Sequence, residues 1–410
     1  MRVDLVDPPA YSTPYDDALA RSLTYRGAQV RLVTSEFAYG QPPATGPRPS
    51  DPGAGSYTRD EFFYRHAVGA AGSALRAISK RAEHVPDMVR YRRDAAHRAD
   101  ISHFQWLTVP RLDLRLLPDG PTVLTIHDPL ERGGRRSPIP VEAFNGVAAV
   151  VVHSEYAREQ VLSQHGLDPG KVHVIHHGAL GRSELTRGEK PTSTVGFSPG
   201  SPTRGEKYTV GVDFLPRDPV IPPELADDGT PVVLCFGLIR PYKGIETLLK
   251  AWRRINDAQL WIVGRPMMDL VPLQAAANLM PGVTILPRFV TPAEEGRLFE
   301  RADIVVIPYE RSDRFGFSGV LATALGYGKA IVLSDVGGLS EIASDPAQPA
   351  ASLVPPGDPG ALHTALAELL TDRSARTQLA AAAASAAATT YSWEAAAAAT
   401  LALYEKILGA

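Results

Sequence analysis

Short apolar runs alternate with longer amphipathic ones along this chain, and the alternation occurs twice. The first series of expected strands is Val3–Val6, Gln29–Thr34, Ile101–Gln105, Thr122–Ile126, Ala148–His153 and Val172–Ile175. The second is Val232–Gly237, Gln259–Val263, Val283–Leu286, Ile304–Pro308, Ala330–Ser334 and Ala351–Val354. Strand–helix alternation of this kind specifies a parallel, doubly wound α/β sheet. Two series predict two Rossmann-like domains, residues 1–180 and 230–391. Between them, 181–229 is rich in Gly, Pro, Ser and Thr and reads as a linker or mobile loop. A second such loop is expected at 41–55. The Ala-rich stretch Gln378–Leu408 reads as one or two helices, because alanine is the best helix former.

With 410 residues, the chain can bury large cores without disulfides or metals. Its one cysteine, Cys235, lies in an apolar run and can form no internal disulfide. A packed thiol in a reducing, cytoplasmic setting is the expectation. A formal charge of −3 argues against nucleic acid as a partner. The opening MRVDLVDPP carries two acids and reads as a first strand rather than a leader. No apolar run approaches the length of a bilayer span. High Ala, Arg and Pro usage suggests a bacterial source.

Two blocks carry the chemistry. In Pro231–Gly244 an apolar strand leads to a Gly237 turn, then to Arg240, Pro241, Lys243 and Gly244. In Ala302–Glu341 a second strand leads to Ser318 and Gly319, which are expected to open a helix. Ligands of such sheets lie beyond the carboxyl ends of the strands. Two cations beside free helix N–H groups suit a diphosphate. Taken alone, Arg240 and Lys243 read equally well as a solvated basic turn.

Further motifs sharpen this. They are Arg288-Phe289-Val290, Ala302-Asp303 with Pro308, and Gly328 followed by Ser334-Asp335-Val336-Gly337-Gly338 and Glu341. The N-terminal half adds Thr125-Ile126-His127-Asp128, His153-Ser154-Glu155 and Val174-Ile175-His176-His177-Gly178. Together they resemble the retaining nucleotide-sugar glycosyltransferases of family 4, over nearly the whole chain. The resemblance implies a GT-B fold, with two Rossmann-like domains facing a central cleft. It also implies that a C-terminal helix, about 392–410, completes the N-terminal, acceptor-binding domain. Arg240 and Lys243 would stabilise the leaving diphosphate, and His127 would approach the reaction centre. Gly237, Arg288, Phe289, Val290, Ser318, Gly319, Val320 and Thr323 would bind the donor, the Arg288–Val290 loop seating the base. The family's Glu-x7-Glu motif is absent: its positions fall on Phe315 and Thr323. Thr323 still offers a hydroxyl for the ribose, and Glu310 or Asp313 is a substitute for the first acid. No D-x-D for a metal-held diphosphate occurs, so neither metal nor cofactor is expected.

His127 ends the apolar run PTVLTIHD, where a polar side chain would face the cleft. The plainer reading is a hydrogen-bonded structural histidine. Asp128 would orient His127 or bind acceptor. His176 and His177 have metal-like composition, but neighbours on a strand point to opposite faces, so they read as domain junction. Tyr11 and Tyr15, in the loop after the first strand, would stack on an acceptor sugar or simply pack. The basic cluster Arg76–Arg98 reads either as a contact with anionic membrane or as a solvated helix face broken at Pro86. The expected partners are thus a nucleotide sugar and a hydroxyl acceptor. The competing readings are an epimerase of the same shape, and a degenerate nucleotide-sugar-binding protein. A dinucleotide oxidoreductase is disfavoured, because no G-x-G-x-x-G follows the first strand.

Overall fold

The computed structural model describes residues 1–36, 57–69, 73–128, 141–181, 221–225, 227–311 and 316–409. The first sheet contains β1 (Arg2–Asp7), β2 (Gln29–Ser35), β3 (Thr58–Phe63), β4 (Ile101–Phe104), β5 (Thr122–Thr125), β6 (Ala149–Val152) and β7 (Val172–Val174). The second contains β8 (Val232–Phe236), β9 (Gln259–Val263), β10 (Val283–Leu286), β11 (Ile304–Ile307), β12 (Ala330–Ser334) and β13 (Ser352–Val354). Strand orders are β3-β2-β1-β4-β5-β6-β7 and β10-β9-β8-β11-β12-β13, with every pairing parallel. Each sheet therefore reverses direction once, between β1 and β4 and between β8 and β11. Those reversals open the crevices in which such sheets bind ligands.

The helices are α1 (Thr13–Tyr25), α2 (Ala74–Arg98), α3 (Pro110–Asp113), α4 (Glu155–His165), α5 (Ile245–Trp252), α6 (Val271–Ala277), α7 (Pro292–Arg301), α8 (Gly319–Gly326), α9 (Pro359–Thr371), α10 (Arg373–Ala388) and α11 (Trp393–Leu408). Their starts are chemically marked. Ser154 accepts from the N–H of Ala157 to open α4, and Thr291 and Glu294 form a reciprocal capping box on α7. The strands are covered on both faces, so they read as continuous apolar runs rather than alternating ones.

Two elements differ from the sequence reading. β3, TRDEFF, was not expected, because three charged side chains mask its pattern. An edge strand pairs on one side only and tolerates such residues. α2 is not broken at Pro86 but runs through it for 25 residues. Pro86 and Ala82 are both exposed, so water can reach the carbonyl that the proline leaves unbonded. Most of the expected linker, and the loop 41–55, lie outside the described residues.

The chain crosses back at its end. α10 packs on α8 and β12, whereas α11 packs on α1. Trp393, Ala397 and Tyr404 join the core that contains Val3, Leu5 and Leu19. Gly178 makes room for this: a Cβ there would come 2.7 Å from Cγ of the Trp393 indole. The indole N–H donates to the Ala179 carbonyl at 2.8 Å.

Candidate active site

The C-terminal crevice is built by two loops. After β8, Gly237 turns with φ of +99°, a conformation that glycine adopts without strain. Val320 and Lys243 Nζ lie 3.1 and 3.4 Å from where its Cβ would be. Arg240, Pro241 and Lys243 then form a short 3₁₀ turn. Gly244 leaves no room for a ligand, because its space is taken by protein. Its φ is +66°, and a Cβ there would overlap the Pro308 carbonyl oxygen.

Lys243 is buried, and its Nζ donates to the Tyr309 hydroxyl while lying 4.3 Å above that ring. Tyr309 follows β11, so this contact spans the strand-order reversal. The Tyr309 hydroxyl is also 3.1 Å from Oγ of Ser318, the N-cap of α8. Burial lowers the pKa of the Lys243 ammonium. Among the described residues no carboxylate pairs with Lys243 or Arg240. Arg240 Nε is buried without a hydrogen-bond partner. Gly319 opens α8 beside open space.

The other expected donor residues surround this centre. Arg288 is held on the rim by Glu224 (3.1 Å) and Glu294 (2.7 Å). Phe289 is exposed and Val290 buried in the core, so the loop offers backbone and one aromatic face. The Thr323 hydroxyl donates to the Gly319 carbonyl at 3.0 Å, leaving its lone pairs. Glu310 is engaged by the Thr247 hydroxyl at 2.7 Å. Asp313 and Phe315 lie outside the described residues. Cys235 is buried, with its thiol pushed up to about 11, so it stays a packing group.

The N-terminal edge is dense in histidine and aromatic rings. His127, two residues past β5, stacks on Trp106 (5.1 Å, 15°) and meets Tyr15 edge-on at 4.9 Å. Its Nδ1 lies 3.0 Å from Nε2 of His153, so His153 and not Asp128 orients it. Tyr15 is buried among His127, His153, His177 and Trp393 and packs rather than stacking on a sugar. Tyr11 is exposed and edge-on to Trp106 at 5.8 Å. Among the described residues no three His, Cys, Asp or Glu side chains converge to hold a metal ion.

One further pattern was not readable from the sequence. Asp7, Ser35, Gln105 and His127 stand at or just beyond the carboxyl ends of β1, β2, β4 and β5, which are adjacent. Each has a buried polar atom without a partner: Asp7 Oδ1, Ser35 Oγ, both amide atoms of Gln105, and His127 Nε2. Asp7 also accepts from the backbone N–H of Ser12 at 3.0 Å. Burial, together with the neighbouring Asp7 charge, raises Asp16 well above the ordinary carboxylate range.

The two edges face each other. Burial raises the pKa of the Tyr242 phenol, and the Asp128 carboxylate from the opposite side adds to it. His177 stacks on Phe317 at 5.1 Å, and His176 lies beside Tyr391, which puts both histidines at the junction. The Glu341 carboxylate accepts from the N–H groups of Glu155 (3.0 Å) and Tyr156 (2.8 Å) at the start of α4. A Cβ on Gly338 would lie 2.5 Å from the Gly316 carbonyl and overlap Ser154 Oγ.

Two family models match this chain. Residues 17–179 match the family described as glycosyltransferase family 4, and residues 230–372 match glycosyl transferases group 1. The D-inositol 3-phosphate glycosyltransferase of Kineococcus radiotolerans is 26% identical, covering 95% of this chain and 88% of that protein. Its counterpart from Mycolicibacterium gilvum is 26% identical over 64% of this chain, which spans only 55% of that relative's length. Among solved structures, sucrose-phosphate synthase from Thermosynechococcus elongatus aligns with a TM-score of 0.66 at 17% identity, covering 100% of this chain and 99% of that one. Anabaena HepE in complex with UDP and glucose aligns at 0.64 and 16%, covering 98% and 99%. At such identities the likeness is one of fold, the GT-B arrangement.

Proposed function

We propose that this chain, which belongs to the group 1 and family 4 glycosyltransferases, moves a sugar with retention from a nucleoside-diphosphate sugar to a hydroxyl acceptor. The observation that carries this is the buried Lys243 ammonium, held by a neutral phenol with no carboxylate paired to it among the described residues. An uncompensated buried charge is costly, and a diphosphate offsets that cost. Arg240 and the open start of α8 stand ready for the same ligand. The HepE complex contains UDP and glucose, which makes UDP-glucose the first donor to try.

In the reaction the bond from sugar C1 to the diphosphate oxygen breaks, and the acceptor oxygen bonds to C1 from the same face. The acceptor's proton passes to the departing phosphate oxygen. Arg240, Lys243 and the helix N–H groups stabilise the charge that develops there. His127 lines the opposite wall. The row Asp7, Ser35, Gln105 and His127 favours a hydroxyl-rich acceptor: a saccharide, a lipid-linked sugar, a cyclitol or a small natural product. Metal is not required in this scheme, so chelation by EDTA is expected to leave turnover unchanged.

We place this chemistry in the cytoplasm. Contact with an anionic membrane through Arg76–Arg98 has mixed support. Arg76, Arg90 and Arg98 are paired with Glu36 (3.2 Å), Asp87 (3.0 Å) and Asp94 (3.0 Å), whereas Leu75, Ile78 and Val85 are exposed on the same helix. No helix among the described residues is long and apolar enough to cross a membrane.

The test is thermal shift with UDP, GDP, dTDP and ADP. One nucleotide is expected to stabilise the protein, and Lys243→Ala to abolish the shift and lower turnover by roughly 10²–10³. No shift with any of them would sink the reading. Binding without turnover on any acceptor would leave a nucleotide-sugar-binding protein.

A further inference from the structure

The nitrogen of His127 that makes no contact is defined by a chain of hydrogen bonds beginning inside the N-terminal domain. His153, one residue past β6, places Nδ1 2.9 Å from the carbonyl oxygen of Ile175. A carbonyl only accepts, so this nitrogen carries the His153 proton. A neutral imidazole has a single N–H, which leaves Nε2 of His153 as a lone pair. That lone pair faces Nδ1 of His127 at 3.0 Å. The proton of this second bond therefore belongs to His127 Nδ1, and Nε2 of His127 is a lone pair in turn. It is buried and without a hydrogen-bond partner.

Both rings are kept neutral by their surroundings. Burial lowers His153 to about 4 and His127 well below the ordinary range, with His153 adding to the effect on His127. Trp106 fixes the plane of the His127 ring from one face, and Tyr15 meets it edge-on. The two nitrogens of an imidazole diverge, so Nε2 points away from His153. His103, which is also nearby, takes no part: its nitrogens face the Tyr404 hydroxyl (2.6 Å) and the Thr125 hydroxyl (2.7 Å).

We propose that His153 is a positioning residue that locks His127 in its Nδ1–H tautomer, so that His127 Nε2 accepts a hydrogen bond from a substrate hydroxyl. In this state His127 Nε2 cannot donate to a substrate atom. A substrate presenting a carboxylate, carbonyl or ether oxygen at that point is discriminated against, because two acceptors would meet in a desolvated site. The hydroxyl clause rests on the transferase reading. The tautomer does not.

Nitrogen-15 NMR of the full-length protein, labelled at histidine, tests this at pH 7, with His127 assigned from the His127→Asn spectrum. The expected result is a proton on Nδ1 and none on Nε2 of His127 in the free protein. In His153→Phe an Nε2–H signal should appear. In His153→Gln, whose amide can donate to Ile175 and accept from His127, the Nδ1–H form should persist. A proton on Nε2 in the unaltered protein, or an unchanged tautomer in His153→Phe, overturns the proposal. If His153→Phe does not fold, the unaltered protein and His153→Gln decide alone. With UDP-glucose as probe, kcat should fall about tenfold in His153→Phe and recover in His153→Gln. A merely structural role predicts an unchanged kcat per folded molecule in both variants. Absence of turnover by the unaltered protein would count against the transferase reading and leave the spectrum to judge the tautomer.

Discussion

Lys243 illustrates how much one side chain can say once its surroundings are known. As a sequence position it is a cation after a glycine turn, and a solvated turn accounts for it as well as a ligand site does. Buried under Tyr309 with no carboxylate paired to it among the described residues, it becomes a charge awaiting a ligand. Glu295, on the first turn of α7, is half-buried and poses a different question of charge. Burial pushes its carboxyl up to about 7, against 4.5 for the unperturbed group. The folded protein thus holds a proton that the unfolded chain releases above pH 4.5. Stability from this group is present below pH 4.5 and is lost as pH rises toward 7, at up to about 1.4 kcal/mol per pH unit. Glu295→Gln is therefore expected to raise Tm at pH 8 and to make little difference at pH 4. Melting curves across that range check it; an equal effect at both ends would refute the assignment.

Contacts between secondary-structure elements decide how the two edges meet. The start of α4 is capped twice, by its own Ser154 and by Glu341 from the other domain. A carboxylate at a helix N-terminus is favoured by the helix dipole as well as by the hydrogen bonds. Glu341→Ala is expected to cost about 1 kcal/mol. It should also loosen the closed arrangement, seen as a larger radius of gyration by X-ray scattering. An unchanged radius would show that other contacts, such as the close approach of Gly338 to Ser154, hold the domains by themselves. The strands themselves were legible: the expected runs match the observed ones to within two residues at either end. Buried parallel strands are continuous apolar runs, which is a strong local signal. β3 was missed because an edge strand needs no such run. The course of α2 through Pro86 was missed because the cost of a proline depends on whether water reaches the freed carbonyl, and exposure is a tertiary property.

For the molecule as a unit, the crossing of the chain between α10 and α11 ties the two sheets together. The last helix fills the core of the first domain, and Trp393 lies where that core meets the junction. Trp393→Ala is expected to cost roughly 3–5 kcal/mol and to lower the melting temperature of the N-terminal domain first. Calorimetry should then resolve two transitions. A single transition at the original temperature would mean that α11 is not part of that core.

The class of fold, the number of sheets, the place of Gly237, Arg240 and Lys243 in the loop after a strand and that of Ser318 at the start of a helix are legible in the sequence. These are matters of local periodicity and spacing, and they are written in neighbouring residues. Only the tertiary structure decided that Lys243 is buried against Tyr309, that Gly244 serves packing on Pro308, and that Tyr15 is core. It also decided that His153 rather than Asp128 orients His127, and that Asp7, Ser35, Gln105 and His127 form one row. Burial and hydrogen-bond direction depend on residues far apart in the chain. His153 and His127 are 26 positions apart, and the carbonyl that orders both is at Ile175. No spacing rule links such positions, because what joins them is the parallel pairing of three successive strands and the loops at their ends.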